Sequence, residues 1–176
     1  MTLELIERLA EEAMRRNLGF LLIGGHAVGI LGHPRLTLDI DLLVLAASKS
    51  DWEKLLGQYG YRCFSEGKAF AQFEGQTGWP RIDLMLVDDV TFSKLRSAAV
   101  QAKGSPTPSP QHMVTLKRHA ANSATRDPDK AQQDWLDIQK IILLHHLDPR
   151  EPAFASLICR YGGEEGLERI RRMCQT

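Results

Sequence analysis

The stretch FLLIGGHAVGILGHPRLTLDIDLLVL, residues 20–45, carries the most informative pattern in this chain. It opens with a short apolar run over 20–23, which has the length and composition of a buried strand. Gly24 and Gly25 follow, and the stretch closes on Asp39-Ile40-Asp41 before a second apolar run. Side chains on a strand alternate between its faces, so Asp39 and Asp41 are expected to point the same way, roughly 6–7 Å apart at the backbone.

Two carboxylates that close need a compensating partner. They repel by about 2–3 kcal/mol at an effective dielectric near 20. A fold that keeps them together requires a cation, a shared proton or good solvation. On this motif alone, a divalent-cation site and a solvated edge strand remain alternatives.

Two neighbouring features favour the cation site. Gly24 and Gly25 lie at a predicted strand-to-helix turn, where bare backbone N–H groups can hold phosphate. A third carboxylate, Asp83, lies in the middle of the apolar alternation Arg81-Ile82-Asp83-Leu84-Met85-Leu86. An acid in the middle of a strand is poorly placed unless it has a function.

This combination resembles the polymerase-β-like nucleotidyltransferase superfamily, whose signature is an apolar residue, two small residues, a spacer, Asp-apolar-Asp/Glu-apolar and a third acid on a later strand. The matching residues here are Ile23-Gly24-Gly25, Asp39-Ile40-Asp41-Leu42 and Asp83. Gly-Gly-His-Ala followed by residues 32–39, GHPRLTLD, is similar to the small bacterial and archaeal branch that includes AbiEii-type toxins of toxin–antitoxin systems.

The resemblance implies transfer of a nucleoside monophosphate from a nucleoside triphosphate, such as ATP, to an acceptor hydroxyl. Two Mg²⁺ (or Mn²⁺) ions would clamp the attacking and leaving oxygens. Asp39 and Asp41 would ligate both ions, and Asp83 would hold the ion that activates the acceptor. Gly24 and Gly25 would hold the triphosphate.

The same resemblance extends to a helical second half. It implies that Lys117 neutralises the triphosphate and that Asp134 or Asp137 on the next helix faces the nucleotide. Gln133 stands where family members often have a basic residue, which leaves open which acid points inward. A solvated Lys117 beside Arg118 and a surface Asp137 paired with Lys140 or Arg118 are the structural alternatives.

Three further residues are candidates for nucleotide binding. His26 replaces the Ser that many family members have after the glycines, so the hydroxyl contact to phosphate is missing, and the imidazole would donate a hydrogen bond to a phosphate instead. Arg35 and Thr37 resemble residues that the branch carries just before the acids. Arg35 would contact the triphosphate or form a structural ion pair.

Composition limits the other function classes. The chain of 176 residues has ordinary apolar and charged fractions and a formal net charge of zero, so any contact with a polyanion must be local. Cys63, Cys159 and Cys174 have no C-x-x-C partner, which predicts thiols in a reducing cytoplasm and no zinc site. We find no secretory signal pattern and no membrane-length apolar run, and expect a cytoplasmic protein with no membrane partner.

The predicted architecture is α/β (α+β): a small mixed twisted sheet with flanking helices, followed by a helical half. We expect a nucleotidyltransferase core over 1–103, a connector over 104–110 and helices over 111–176 packed against the active-site cleft. The predicted strands are 20–23, 37–45, 62–65, 69–73 and 81–87. The predicted helices are 2–17, 25–31, 51–59, 91–99, 110–122, 128–144, 151–161 and 164–173.

The acceptor and partners are open at this stage. A transferase acting on a tRNA end needs only a few local phosphate contacts, so RNA is favoured over a protein acceptor. A cognate antitoxin is expected if the chain is a toxin. The alternative interpretation is a non-catalytic nucleotide-binding or antitoxin-like module that keeps the same fold.

Overall fold

The computed structural model of the chain describes residues 2–102 and 104–174. It falls into two compact units, Met1–Ile30 with Pro34–Pro108 (unit 1) and Leu31–His33 with Ser109–Thr176 (unit 2). Residues 1, 103, 175 and 176, which the predicted domain limits include, lie outside the described residues. The domain division itself stays a prediction.

Among the described residues, unit 1 contains a five-stranded sheet, a two-stranded sheet and four α-helices. Its elements are α1 (Thr2–Arg15), β1 (Phe20–Ile23), α2 (Gly24–Ile30), β2 (Ile40–Leu45), a 3₁₀ turn (Ala46–Ser48), α3 (Lys49–Gln58), β3 (Arg62–Glu66), β4 (Phe70–Glu74), β5 (Ile82–Val87), α4 (Asp89–Ser97), β6 (Val100–Ala102) and β7 (Ser105–Thr107).

The five-stranded sheet of unit 1 has the order β1-β2-β5-β4-β3. Strands β2 and β5 are parallel and the other three pairings are antiparallel. The predicted α/β class with a small mixed sheet and flanking helices is therefore confirmed. Helix α2 packs against β1 and β2, so the glycine turn lies beside the strand that follows Asp39.

Alternation along the strands divides the sheet into an apolar face and a mixed face. On β5, Ile82, Leu84 and Leu86 are buried, whereas the intervening Asp83 and Met85 are half-buried. The buried set packs with the apolar residues of β1, β2 and the helices, and the core includes Leu22, Ile40, Leu42, Trp52, Leu55, Leu56, Phe73 and Phe92. The alternation thus places Asp83 on the face that is not fully buried.

Unit 2 is helical, with α5 (Pro110–Ala121), α6 (Pro128–Leu144) and α7 (Pro152–Met173). Helix α5 packs against both α6 and α7. Ser109 caps α5, with its Oγ accepting a hydrogen bond from the His112 N–H, and Asp127 caps α6 in the same way. Each cap is followed by a proline at the first helical position, which is a local signal for a helix start. The helical division predicted at residues 162–163 is present within α7 as a kink at Gly163, whose φ of 63° and ψ of 175° are not helical.

Several predicted boundaries are wrong. Strand β2 begins at Ile40, three residues later than predicted, because Thr37 and Leu38 are outside the sheet ladder. Helix α3 begins after Ser48 instead of Ser50. Helix α4 begins at Asp89, because the Asp88 carboxylate caps it through the Thr91 N–H.

The predicted connector over 104–110 contains a strand. Ser105–Thr107 pairs with β6 and contacts β1, and Ser105 and Thr107 are buried. Composition alone could not predict this outcome, because the burial comes from pairing and packing within unit 1. No helix in the described ranges has both the length and the apolar character needed to cross a lipid bilayer.

Candidate active site

Two of the three predicted acids lie side by side in the sheet. Asp41 on β2 is the register partner of Asp83 on the parallel strand β5. Register partners on neighbouring strands are about 5 Å apart at the backbone and project from the same face. Ile23 on β1 pairs with Asp41, and Gln72 on β4 pairs with Asp83, so both share that face. The sheet therefore presents a row of Ile23, Asp41, Asp83 and Gln72.

Only a glycine fits at position 24, because the Asp41 carboxylate lies directly against its Cα. A Cβ on Gly24 would lie 1.9 Å from Asp41 Oδ2. The residue also has φ of +66°, a backbone conformation that L side chains adopt at a cost. The first glycine of the turn thus serves both to reverse the chain and to admit the carboxylate.

Gly25 receives the side chains of the segment that precedes β2. A Cβ there would lie 2.7 Å from Thr37 Oγ1 and 3.2 Å from Arg35 Cζ. Arg35 and Thr37 therefore lie beside the glycine turn. The Arg35 Nη1 also donates to the Leu36 carbonyl at 3.3 Å.

His26 lies on the same turn with a poorly solvated ring. Burial lowers the pKa of His26, and the positive charge of Arg35 lowers it further. Its Nε2 is buried and makes no hydrogen bond to the described residues. The imidazole is thus favoured in its neutral form.

Asp39 lies one residue before β2, not within it. The prediction that strand alternation aligns Asp39 with Asp41 is therefore wrong, because Asp39 is not part of the strand. The residue after Asp39 is nevertheless held next to the start of β5, because the Ile40 N–H donates to the Arg81 carbonyl at 2.8 Å. The donor set of Asp39, Asp41 and Asp83 is chemically suited to Mg²⁺ or Mn²⁺, which prefer carboxylate oxygen.

One other cluster has the composition of a metal site. Within the described ranges, the ligand atoms of Glu53, Cys63 and Glu66 all lie within 4.8 Å of one another, a spacing that the three predicted acids do not reach. Lys49 Nζ lies 3.0 Å from Glu53 Oε1 and also bonds Glu66. The bond to Glu66, followed by that to Glu53, raises the Lys49 pKa. This cluster is an ion-pair network in which a lysine already supplies the cation.

The predicted residues of the helical half form a buried ionic group. Lys117 Nζ lies 2.8 Å from Asp134 Oδ1 and 2.9 Å from Asp137 Oδ2. Arg126 Nη2 lies 2.7 Å from the other oxygen of Asp134, and Gln133 Nε2 donates to Asp137 Oδ1 at 3.0 Å. We call these residues the α5–α6 ion cluster.

The burial of this cluster contradicts the structural alternatives considered for Lys117 and for Asp137. Lys117 is 6% exposed, so it is not a solvated lysine beside Arg118. Asp137 is 0% exposed and pairs with Lys117, so it is not a surface acid paired with Lys140 or Arg118. Arg118 instead lies against Gly162 and Gly166 and donates to the Tyr161 carbonyl. The roles of Lys117, Asp134 and Asp137 toward a nucleotide stay predictions.

The contacts of three polar residues in these groups were not predicted from the sequence. Gln133 lies one helical turn before Asp137, and i,i+4 spacing could have suggested their hydrogen bond. Arg126 lies in an irregular segment and carries no periodic signal. Gln72 donates from Nε2 to Asp83 Oδ2 at 3.1 Å, and only the pairing of β4 with β5 reveals that contact.

Comparison with known proteins supports the fold. A scan against family models and a search of curated proteins gave no match. Among solved structures, ANT(2'')-Ia in complex with adenylyl-2''-tobramycin is 18% identical with a TM-score of 0.63, over 92% of this chain and 99% of that chain. The lincosamide antibiotic adenylyltransferase LnuA is 13% identical with a TM-score of 0.58, over 77% and 95%. The Megavirus polyadenylate synthase is 12% identical with a TM-score of 0.55, over 82% of this chain and 32% of that chain.

At these identities the likeness concerns architecture alone. The neighbours share the mixed sheet with flanking helices on which the row of Asp41 and Asp83 lies. The placement in the toxin-like branch stays a prediction. The chain has the nucleotidyltransferase fold.

Proposed function

We propose that this protein is a metal-dependent nucleotidyltransferase, which moves a nucleoside monophosphate from a nucleoside triphosphate to an acceptor hydroxyl and releases pyrophosphate. The observation that carries this proposal is the register pairing of Asp41 with Asp83 on adjacent parallel strands, with Gly24 admitting the Asp41 carboxylate. Two half-buried acids side by side are costly unless a cation offsets their repulsion. The fold of the neighbours supports the same interpretation.

The carboxylates would hold the ions and move the proton. Asp39, Asp41 and Asp83 would supply the oxygen ligands. When bound, two Mg²⁺ or Mn²⁺ ions would supply Lewis-acid stabilisation to the attacking and leaving oxygens. The acceptor oxygen would bond to the α-phosphorus as the bond to the pyrophosphate oxygen breaks, and an Asp83 carboxylate oxygen would take the hydroxyl proton.

The glycine turn would orient the triphosphate. Gly24 and Gly25 have no side chains to block their backbone N–H groups, which suits them to bind phosphate oxygens. Arg35 and Thr37 lie against Gly25, which places a cation and a hydroxyl at the same turn. His26, held neutral by burial, would donate a single hydrogen bond without adding charge.

We further propose that the acceptor is an RNA end. Solved neighbours bear names that include an adenylyl-tobramycin complex and a polyadenylate synthase, so the fold accommodates both small and polymeric acceptors. In this chain, exposed Arg81 stands two residues before Asp83, and its guanidinium lies 5.2 Å from the ring centre of exposed Phe64. A cation and an aromatic ring on this edge of unit 1 suit an unpaired nucleotide.

The test follows label from the α-phosphate. Each of the four nucleoside triphosphates, labelled at that phosphate, is incubated with Mg²⁺, total RNA, lysate protein and tobramycin. We expect label in a ribonuclease-sensitive product with the wild type, and none with Asp41→Asn or Asp83→Asn. Asp51→Asn, a change at an exposed helical acid, is the control that should keep activity.

Other outcomes would change the assignment. Label that resists ribonuclease but is lost to protease would identify a protein acceptor. Nucleotide binding without any label transfer would favour the non-catalytic nucleotide-binding module.

A toxin role is a further part of the proposal. Induced expression of the wild type should arrest bacterial growth, whereas Asp41→Asn should not. A cognate antitoxin in the cytoplasm would then be the partner that relieves the arrest. Equal arrest by both proteins would contradict a catalytic toxin.

A further inference from the structure

We propose that Gln72 is a positioning residue for the third carboxylate, holding Asp83 in place for a divalent cation without neutralising it. This inference rests on the proposed function, because it concerns the same carboxylates, Asp41 and Asp83. The observation is the hydrogen bond from Gln72 Nε2 to Asp83 Oδ2 at 3.1 Å, between side chains that face each other across the β4–β5 pair.

The orientation of the Gln72 amide is determined by its partner. A carboxylate oxygen accepts hydrogen bonds and cannot donate them when ionised. If the amide were turned over, its carbonyl oxygen would oppose Asp83 Oδ2 and repel it. The N–H side must therefore face Asp83, and the bond fixes the carboxylate's rotation about its side chain.

An amide is suited to this task because it is uncharged. A lysine or arginine at position 72 would also bond Asp83, but its positive charge would compete with the ion. The α5–α6 ion cluster and the Lys49 network show the alternative, in which a basic side chain compensates paired acids. Gln72 instead occupies one lone pair of Asp83 Oδ2 and adds no positive charge beside the carboxylate.

The neighbouring strand makes room for Gln72. Cys63 on β3 pairs with Phe73, so a regular ladder would place Phe64 opposite Gln72. A register shift between Cys63 and Ser65 places Ser65 there instead. The bulge therefore puts a small side chain, not a phenyl ring, beside the residue that orients Asp83. Bulges of this kind re-aim side chains next to functional sites.

The experiment measures Mn²⁺ binding directly, by the loss of the free-ion paramagnetic resonance signal, on the full-length protein. Gln72→Met keeps the length of the side chain and removes the donor. Loss of a group that orients a metal ligand typically weakens metal affinity 10- to 100-fold, so we expect the Mn²⁺ dissociation constant to rise by about 10-fold or more. Gln72→Lys, which keeps a donor but adds a charge, should weaken binding further.

The matched control is Gln58→Met in the same unit. Gln58 Oε1 accepts a hydrogen bond from Arg16 Nη2, so the same chemical change removes a side-chain bond far from the acids in sequence. Its Mn²⁺ affinity should equal that of the wild type. The metal-free melting temperature of Gln72→Met should stay close to the wild-type value, which separates positioning from folding. Gln72→Asn, whose shorter amide falls short of Asp83, is the second variant if Gln72→Met does not fold, and the same 10-fold rise is expected.

The outcomes separate the two proposals. If the wild type binds Mn²⁺ and Gln72→Met binds it within two-fold, the positioning role is overturned and the proposed function stands. If Gln72→Lys binds as tightly as the wild type, the argument from charge is overturned. If the wild type itself binds no Mn²⁺, the proposed function fails and the positioning role fails with it.

Discussion

At the scale of single residues, Gly24 has two properties whose effects can be measured separately: its backbone conformation and its contact with Asp41. Gly24 has a positive φ and lies against the Asp41 carboxylate. Gly60 also has a positive φ, of 79°, but a Cβ added there would meet no other described atom within 4 Å. A comparison of the two positions therefore separates the cost of a left-handed backbone from the cost of a clash with Asp41. Only the clash affects the candidate active site.

We expect Gly60→Ala to cost about 1–2 kcal/mol of folding free energy, because an L residue is strained in a left-handed backbone. Gly24→Ala should cost clearly more, because its Cβ would also displace Asp41. It should abolish Mn²⁺ binding, whereas Gly60→Ala should leave it unchanged. Thermal melting and Mn²⁺ titration of both variants check this, and equal stability losses with intact Mn²⁺ binding would contradict the geometry.

His26 predicts a pH dependence of stability. Burial and then Arg35 lower its folded-state pKa below the ordinary 6.5, so the unfolded chain binds more protons between the two values. The contribution of neutral His26 is present above pH 6.5 and is lost as the pH falls through the folded pKa.

As the pH falls from about 7 to the pH where the folded histidine titrates, the free energy of unfolding of His26→Gln should therefore decrease less than that of the wild type. Melting temperatures over this range measure the difference. The exposed His119→Gln is the matched control and should follow the wild type. A His26→Gln curve parallel to the wild-type curve would show that burial does not hold the ring neutral.

At the scale of elements, helices α5 and α6 are joined by the α5–α6 ion cluster. Lys117 from α5 compensates two acids from α6, and Asp134 and Asp137 are 1% and 0% exposed. Buried ion pairs add little net stability, but removal of one partner leaves an uncompensated buried charge. Lys117 therefore matters to unit 2 whatever its role toward nucleotides.

We expect Lys117→Ala to destabilise the protein by about 3–5 kcal/mol. Lys130→Ala, at an exposed position on α6, should stay within about 0.5 kcal/mol of the wild type. Denaturant unfolding measures both. Unchanged stability of Lys117→Ala with weakened nucleotide binding would instead support the role that the family resemblance implies.

At the scale of the whole molecule, ligand binding should appear as a gain in stability. A ligand at 100 times its dissociation constant stabilises by about 2.7 kcal/mol, which for a chain of this size raises the melting temperature by about 5–10 °C. Mg²⁺ with a nucleoside triphosphate should produce such a rise in the wild type.

Asp41→Asn should lose this rise, because an amide replaces a charged ligand at nearly constant shape. Asp51→Asn, which alters an exposed acid near Lys54, should retain it. Differential scanning fluorimetry with each nucleotide checks both variants. A wild-type melting curve that Mg²⁺ and all four nucleotides leave unmoved would remove the basis of the catalytic proposal.

Local sequence patterns were sufficient to predict the elements that have strong short-range signals. The run Phe20–Ile23, the glycine turn and the alternation through Asp83 are short-range patterns, and strand and helix periodicity suffice to place them. The Ser109-Pro110 and Asp127-Pro128 caps likewise located the starts of α5 and α6. The row of Asp41 and Asp83 was foreseen as a set of acids through family resemblance, but not as register partners.

The contacts between polar groups depend on strand pairing and helix packing. Strand pairing places Gln72 on Asp83, the bulge in β3 puts Ser65 beside it, and the packing of α5 on α6 buries Lys117 with two acids. Each contact joins residues distant in sequence, so no local propensity encodes it. The same reason explains the buried strand Ser105–Thr107, whose composition is that of a linker but whose partners are supplied by the rest of unit 1.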